Sequence, residues 1–337
     1  MNNSGGLKRR GTSRAGALLM LMLGGAAVFA APQGKTVIGV AKFVSHPALD
    51  ALEKGIVDEM KSSRPDLSFD LQNSNGDMGT AAQIAQRFRD EKTAVAIGIA
   101  TPAAQALANA IHDRPVVFSA VTDPVAAGLV ASVSKGGPNV TGTSDMTPVR
   151  QQLELLISLK KIGRLGHIYN AGEANSVKLE ELVAAFCREK GIQLVCATVA
   201  NSSEVKQAAL SIAGRVDGIY LGNDNTVFSA LNAVCDVANS RKIPVVTADP
   251  SSAAEGMPVL AALGFDYYAM GRATGKIALR ILSGEKPSSI PTYFSTDPAD
   301  MMLVINKDTA AAIGLALPDA LLKKASVVIE AGKAVHR

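Results

Sequence analysis

The chain contains the same strand–turn–helix–strand pattern twice. One copy spans residues 94–124 and the other spans residues 218–250. In each copy, small polar residues follow an apolar strand where a helix begins, and a later Pro-Val-Val strand leads into Asp-Pro. Ligands of open α/β sheets bind beyond the carboxyl ends of the strands. Two such halves therefore predict a ligand held in a cleft between two lobes.

Strand and helix patterns alternate along nearly the whole chain after residue 35. This alternation predicts an α/β fold with two doubly wound parallel-sheet lobes joined by a multi-strand hinge. We expect lobe 1 to comprise residues 35–144 plus 252–292, and lobe 2 to comprise residues 145–251 plus 293–330. Two simple consecutive domains are the alternative that periodicity leaves open.

Residues 1–30 are predicted to be a signal peptide. Lys8, Arg9, Arg10 and Arg14 precede an apolar run, and Val28-Phe29-Ala30 fits the small-x-small cleavage rule. The alternative is a retained membrane anchor, but the run is shorter than the ~20 residues that span a bilayer. No cysteine for a lipid anchor lies near the cleavage site. We expect cleavage after Ala30 and a periplasmic protein.

Removing this segment also removes the basic character of the chain. The sequence has 34 Lys and Arg and 30 Asp and Glu, and four of the former but none of the latter precede residue 31. A formally neutral protein argues against nucleic acid as a partner.

The sequence contains none of the common catalytic or cofactor signatures. No G-x-G-x-x-G follows the first strand, and there is no G-x-S-x-G, H-E-x-x-H or C-x-x-C. The four histidines lack metal-ligand spacing. We therefore expect no enzyme activity, no cofactor and no metal. Buried free thiols are expected for Cys187, Cys196 and Cys235, with a bridge between Cys187 and Cys196 as the alternative.

Polar turns after the strands supply the candidate site. In the first half, Thr101-Pro102-Ala103 opens a helix whose N-terminus suits a carboxylate, and Thr122-Asp123 follows the next strand. Helix capping and an ordinary turn are the competing explanations.

In the second half, four consecutive polar residues, Asn223 to Thr226, follow the end of one strand, although a single polar residue is enough to cap a helix. Asp224 suits an ammonium group, while Asn225 and Thr226 suit capping or ligand binding. Another polar turn contains Glu173, Asn175 and Ser176, of which Ser176 fits a helix cap.

These motifs together resemble the substrate-binding proteins of ABC importers in the tryptophan/tyrosine-type family, which have a type I periplasmic-binding fold. The resemblance covers the whole mature chain. The sequence departs from the family at Gly222-Asn223 and at Ala248–Ser251. The motifs that carry the resemblance are His46–Asp50, Ala100–Ala103, Val121–Val125, Asn139–Gly142, Gly172–Ser176, Asp224–Thr226 and Gly264–Tyr268.

The resemblance implies an extracytoplasmic receptor, expected to be a monomer, that delivers an aromatic amino acid to a membrane permease. The ligand carboxylate would meet Thr101–Ala103 and Thr122. Its ammonium would pair with Asp224, assisted by Glu173 or Asp123. Its ring would lie between Phe43 or Phe118 and Tyr169. His46 and Asp249 complete the candidate set.

Other functions fit the same fold. A periplasmic sensor that reports to a signalling receptor would use the same cleft, and a sugar or another small metabolite could replace the amino acid. A periplasmic enzyme is disfavoured by the missing nucleophile. A transcriptional repressor would need a DNA-binding helix pair where the signal peptide stands.

Overall fold

The computed structural model describes residues 36–254, 256–295 and 300–337. The signal peptide predicted for residues 1–30, with its cleavage site, lies outside these residues. In the described part of the chain, no helix is both long and apolar enough to cross a membrane.

The first lobe is built on a six-stranded parallel sheet with the order β11-β5-β4-β3-β1-β2. Its strands are β1 (Val37–Lys42), β2 (Ser68–Asn73), β3 (Val95–Ile99), β4 (Val116–Ser119), β5 (Val140–Ser144) and β11 (Tyr293–Phe294). Its helices are α1 (Pro47–Ser63), α2 (Met78–Asp90), α3 (Thr101–Ala110) and α10 (Tyr267–Leu282), and a 3₁₀ turn spans Pro287–Ser289.

The second lobe is built on an eight-stranded sheet with the order β14-β13-β12-β10-β9-β8-β6-β7. Its strands are β6 (Arg164–Asn170), β7 (Gln193–Val199), β8 (Gly218–Leu221), β9 (Val245–Thr247), β10 (Ala261–Phe265), β12 (Met301–Asn306), β13 (Val327–Glu330) and β14 (Lys333–His336). Its helices are α4 (Val149–Leu159), α5 (Ala174–Lys190), α6 (Val205–Ala213), α7 (Asn225–Phe228), α8 (Leu231–Ser240), α9 (Pro250–Ala254), α11 (Lys307–Ile313) and α12 (Asp319–Lys324), and a 3₁₀ turn spans Ser202–Glu204. The pairs β10–β12 and β13–β14 are antiparallel, and the other pairs are parallel.

The chain passes between the two lobes three times. It crosses after β5, between β10 and α10, and again between β11 and β12. The lobe boundaries expected from the sequence differ from the structure at two strands. β10 lies in the second sheet, beside β9, although residues 252–292 were assigned to lobe 1. β11 pairs with β5 in the first sheet, although residues 293–330 were assigned to lobe 2. An apolar strand pattern predicts the strand but does not encode which sheet edge it joins.

Every residue of β3, β4 and β5 is buried. Continuous burial is typical of parallel strands that are covered by helices on both faces. All three cysteines are free thiols: Cys187 and Cys235 are buried, whereas Cys196 is exposed on the edge strand β7. Cys196 therefore differs from the buried thiol expected from the sequence.

Candidate functional site

A small cavity lies between the lobes, at the carboxyl ends of strands from both sheets. Its volume is about 10 Å³, which is roughly the space that one water molecule needs. The lobes are thus closed upon each other around the site. The lining residues are His46, Leu49, Ala120, Thr122, Asp145, Asn175, Asn223, Asn225, Phe228 and Tyr267.

Asp145 is the charged centre of this cavity. Its Oδ1 accepts a hydrogen bond from the Thr122 hydroxyl at 2.9 Å. Its Oδ2 accepts from the Asn223 amide at 2.9 Å and from the Tyr267 hydroxyl at 3.0 Å. Burial raises the pKa of Asp145, and these hydrogen bonds oppose that shift. Asp145 lies where the chain first crosses between the lobes, directly after β5. Because Thr122 belongs to the first lobe and Asn223 to the second, its carboxylate is hydrogen-bonded to both lobes.

Two amide oxygens in the cavity wall are free to accept further hydrogen bonds. The Asn175 amide nitrogen donates to the backbone carbonyl of Asn223 at 2.7 Å. The Asn223 amide nitrogen donates to Asp145. Within the described residues, the oxygens Asn175 Oδ1 and Asn223 Oδ1 are buried and have no partner. Together with Asp145 they form a group of acceptors, which suits an ammonium ligand.

His46 occupies the wall that the first lobe contributes. It is the N-cap residue of α1, but its side chain makes no capping bond. The imidazole lies edge-on to Phe228 of the second lobe, with 5.8 Å between ring centroids. Neither ring nitrogen has a hydrogen-bond partner among the residues that the structure describes.

Glu173 and Asp224 do not line the cavity, and their carboxylates accept hydrogen bonds from other groups of the protein. Glu173 is fully buried and accepts hydrogen bonds from side-chain and backbone groups of Asn225 and Thr226. Asp224 caps α7 through the Val227 N–H and accepts the Asn170 N–H at 2.6 Å. Burial, with the nearby charge of Glu173, raises the pKa of Asp224. The expected ammonium partner therefore serves as a helix cap.

The first turn of α3 is close-packed. Thr101, Pro102 and Ala103 are buried, and they do not line the cavity. In the described part of the molecule the Thr101 hydroxyl has no hydrogen-bond partner. The preceding Ala100 has a φ of 72°, and Ala120 in the cavity wall has a φ of 52°. Strained backbone of this kind is common at ligand sites.

Three further candidate residues have local structural partners. Ser176 accepts a hydrogen bond from the Asn175 amide at 3.2 Å. Asp123 binds the backbone amides of Val125 and Ala126. Asp249 is fully buried and binds the first turn of α9 through the Ser251 and Ser252 amides.

The aromatic residues expected around the ligand ring lie elsewhere. Phe43 and Phe118 are fully buried in the core of the first lobe. Tyr169 stacks on His167 at 5.5 Å between ring centroids. Side chains alternate along a strand, so these two residues of β6 share one face, and Tyr169 does not line the cavity. Phe228 and Leu49 supply the apolar wall instead.

Four of the predicted residues line the cavity: His46, Thr122, Asn175 and Asn225. Sequence reasoning missed Asp145, Asn223 and Tyr267 as site residues, although each follows the end of a strand. That position was the available signal. No group of His, Cys, Asp or Glu side chains suited to a metal ion occurs in residues 36–254, 256–295 and 300–337.

Comparisons with known proteins agree with this architecture. A family model described as ABC transporter substrate binding protein matches residues 37–329. A tyrosine-binding protein of Clostridioides difficile (strain R20291) is 36% identical over 283 residues, which cover 82% of this chain and 81% of that protein.

Two solved structures of related proteins superpose on this chain to different degrees. An ABC domain from Streptococcus pneumonia in complex with L-Trp is 34% identical, covers 88% of this chain and 100% of its own, and has a TM-score of 0.83. A ligand-free, open substrate-binding protein with adhesive properties from Clostridium difficile is 36% identical, covers 84% of this chain and 96% of its own, and has a TM-score of 0.62. At similar sequence identity, this chain therefore superposes better on the complex with L-Trp than on the open, ligand-free structure. This agrees with the narrow cavity.

Proposed function

The chain belongs to the family of ABC transporter substrate-binding proteins, and we propose that it binds an aromatic amino acid between its lobes and delivers it to a membrane permease. The observation that carries the proposal is a closed interlobe cavity in which a carboxylate and two free amide oxygens converge. Its relatives include a tyrosine-binding protein and a domain bound to L-Trp. Those relatives are binding proteins, and we propose that this chain likewise binds without catalysis.

The ligand ammonium is proposed to meet Asp145, Asn175 and Asn223. A carboxylate and two amide oxygens offer charge-assisted and neutral hydrogen bonds to the three N–H donors of an ammonium. Asp224, which the sequence suggested for this role, has both oxygens engaged by backbone amides. The ammonium site is therefore proposed at Asp145.

The ligand carboxylate is proposed to meet the N-terminal end of α3. Within the described residues, no Lys or Arg side chain lines the cavity. The sequence singled out two substitutes, the positive end of the α3 dipole and the Thr101 hydroxyl. This hydroxyl is buried outside the closed cavity and has no hydrogen-bond partner among the described residues. The ring is proposed to lie against Leu49 and Phe228, where edge-to-face contact with an aromatic side chain is favourable.

An aromatic amino acid is much larger than the present cavity, so the lobes must open to admit it. Closure over the ligand would then exclude water, which strengthens the charge-assisted bonds to Asp145. We propose that the closed form is the one presented to the permease, in the periplasm, after removal of the signal peptide.

Thermal-shift and calorimetric titration of the purified, refolded protein tests this function. A ligand present at 100 times its Kd stabilises the folded state by about 2.7 kcal/mol. We expect a rise in Tm with at least one of L-Trp, L-Tyr and L-Phe, and no rise with L-Asp or L-Lys. An unchanged Tm with all three aromatic amino acids would contradict the proposal.

A further inference from the structure

His46 has hydrogen-bonding capacity that the rest of the cavity leaves unused. The hydroxyls of Thr122 and Tyr267 both donate to Asp145. The Asn225 amide nitrogen donates to Glu173. By contrast, both imidazole nitrogens of His46 are buried, and in the described part of the chain neither has a partner. The residue is only 7% exposed, so bulk water does not satisfy them.

The surroundings of His46 are those expected for a ligand side chain. Leu49, one turn further along α1, lines the same cavity, and Phe228 packs edge-on against the imidazole. The proposed ammonium acceptors are other residues of the same cavity, namely Asp145, Asn175 and Asn223. The side chain of an amino acid whose ammonium binds Asp145 can therefore contact the wall formed by His46, Leu49 and Phe228.

The imidazole of His46 is neutral at neutral pH. Burial lowers its pKa, and the charges of Asp249, Asp50 and Glu173, with the nearby Asn225 side chain, oppose this only in part. Asn225 does not meet the distance and angle of a hydrogen bond to either ring nitrogen. A neutral imidazole carries one N–H donor and one nitrogen acceptor. It can therefore accept a hydrogen bond from a polar group on a ligand ring.

We propose that His46 is a specificity-determining residue whose unpaired ring nitrogen accepts a hydrogen bond from the aromatic side chain of the ligand, either a phenol hydroxyl or an indole N–H. This inference rests on the proposed function. A site that hydrogen-bonds a ligand O–H or N–H rejects the analogue lacking it, because the buried partner is then left unpaired. Leaving such a group unsatisfied costs about 1–3 kcal/mol, which corresponds to about a 5- to 150-fold loss of affinity.

Calorimetry on the whole protein with L-Tyr, L-Trp, L-Phe and 4-fluoro-L-phenylalanine tests the proposal. We expect L-Tyr or L-Trp to bind at least about 10-fold more tightly than L-Phe. The fluorinated ligand fills the space of the hydroxyl but has no donor, so it should bind like L-Phe. These wild-type measurements hold even if a variant fails to fold.

Variants then assign the preference to His46. His46→Leu removes the nitrogen that L-Phe leaves unpaired, so it should abolish the preference by bringing the affinities of L-Phe, L-Tyr and L-Trp together. His46→Gln keeps a hydrogen-bonding group and should retain part of the preference. Leu49→Ala is the matched control, since it alters the same wall without a polar atom and should weaken all three natural ligands alike.

Equal binding of L-Phe, L-Tyr and L-Trp by the wild type would overturn the proposal, as would a uniform loss of affinity in His46→Leu. If none of these ligands binds the wild type, the proposed function itself fails. If aromatic ligands bind without discrimination, only the role of His46 fails.

Discussion

A single carboxylate, that of Asp145, receives hydrogen bonds from residues of both lobes and faces the cavity. We expect Asp145→Asn to weaken amino acid binding by about 2–4 kcal/mol, because the ligand ammonium would be buried without its counter-charge. Isothermal titration calorimetry gives the affinity.

The contrasting variant is Asp224→Asn. Asp224 binds the backbone amides of Asn170 and Val227 rather than the cavity. This variant should lower the free energy of unfolding by about 1 kcal/mol, as loss of a helix cap does, and leave the Kd nearly unchanged. If Asp224→Asn loses binding and Asp145→Asn keeps it, the ammonium site has been placed at the wrong residue.

His167 predicts an acid sensitivity of the second lobe. Its Nδ1 lies 2.9 Å from the Tyr220 carbonyl oxygen, and its ring stacks on Tyr169 and Tyr220. Burial lowers the pKa of His167 from 6.5 to about 4. The unfolded chain therefore takes up the proton more readily than the folded one.

The stability contributed by neutral His167 is complete above pH 6.5 and is lost as the pH falls from 6.5 towards 4. The loss amounts to about 3 kcal/mol. In His167→Phe, which keeps an aromatic ring in the stack, urea unfolding should depend less steeply on pH across this interval. An identical slope in the variant and the wild type would show that other groups carry the acid sensitivity.

Among the elements, the helices α1 and α10 pack at unusually close range. A Cβ atom on Gly271 would lie 2.1 Å from the Leu52 carbonyl oxygen, and one on Gly55 would lie 2.2 Å from the Tyr268 carbonyl oxygen. Both clashes are with backbone atoms, which cannot rotate away. This contact fastens the returning helix α10 to the first lobe.

We expect Gly271→Ala to lower the free energy of unfolding by about 1–3 kcal/mol, because the two helices must separate. Chemical denaturation measures this change. Lys276→Ala, at an exposed position of the same helix, is the matched control and should change stability by less than about 0.5 kcal/mol. Equal stability of Gly271→Ala and the wild type would mean that the helices shift apart without cost.

Local sequence patterns predicted the strands and helices better than they predicted which strands pair in a sheet. The apolar runs of β3 and β4 and the start of α3 at Thr101-Pro102 were recognisable, because burial and helix initiation depend on neighbouring residues. The sheet positions of β10 and β11 depend on long-range pairing, which periodicity does not record. Asp145 was missed for a similar reason: it follows β5 in what reads as a plain crossover, and only the folded lobes bring Thr122, Asn223 and Tyr267 to it.

At the scale of the whole molecule, a partly exposed ion pair among the described residues joins the two lobes. The Lys178 ammonium of α5 lies 3.5 Å from Asp123 Oδ2, which follows β4 in the other lobe. The backbone amides of Val125 and Ala126 hold this carboxylate in place. The pair forms only when the lobes approach, so it favours the closed arrangement.

We expect Lys178→Met to shift the lobes towards the open form and to raise the Kd of the ligand by up to about five-fold, since partly exposed ion pairs contribute about 0–1 kcal/mol. Small-angle scattering of the ligand-free protein and calorimetry report the two effects. Lys190→Met is the matched control, because Lys190 pairs with Glu189 on its own helix. A Kd that responds equally to both substitutions would argue against a role for the interlobe pair.

Because the chain passes between the lobes three times, neither lobe can finish folding until late in synthesis. Residues 36–144 lack α10 and the edge strand β11, which are supplied by residues 267–294. A ribosome must therefore have made most of the polypeptide before even the amino-terminal lobe has all its parts. Until then the nascent chain has no finished domain, and an unfolded chain is the form that the export we propose for this protein would need.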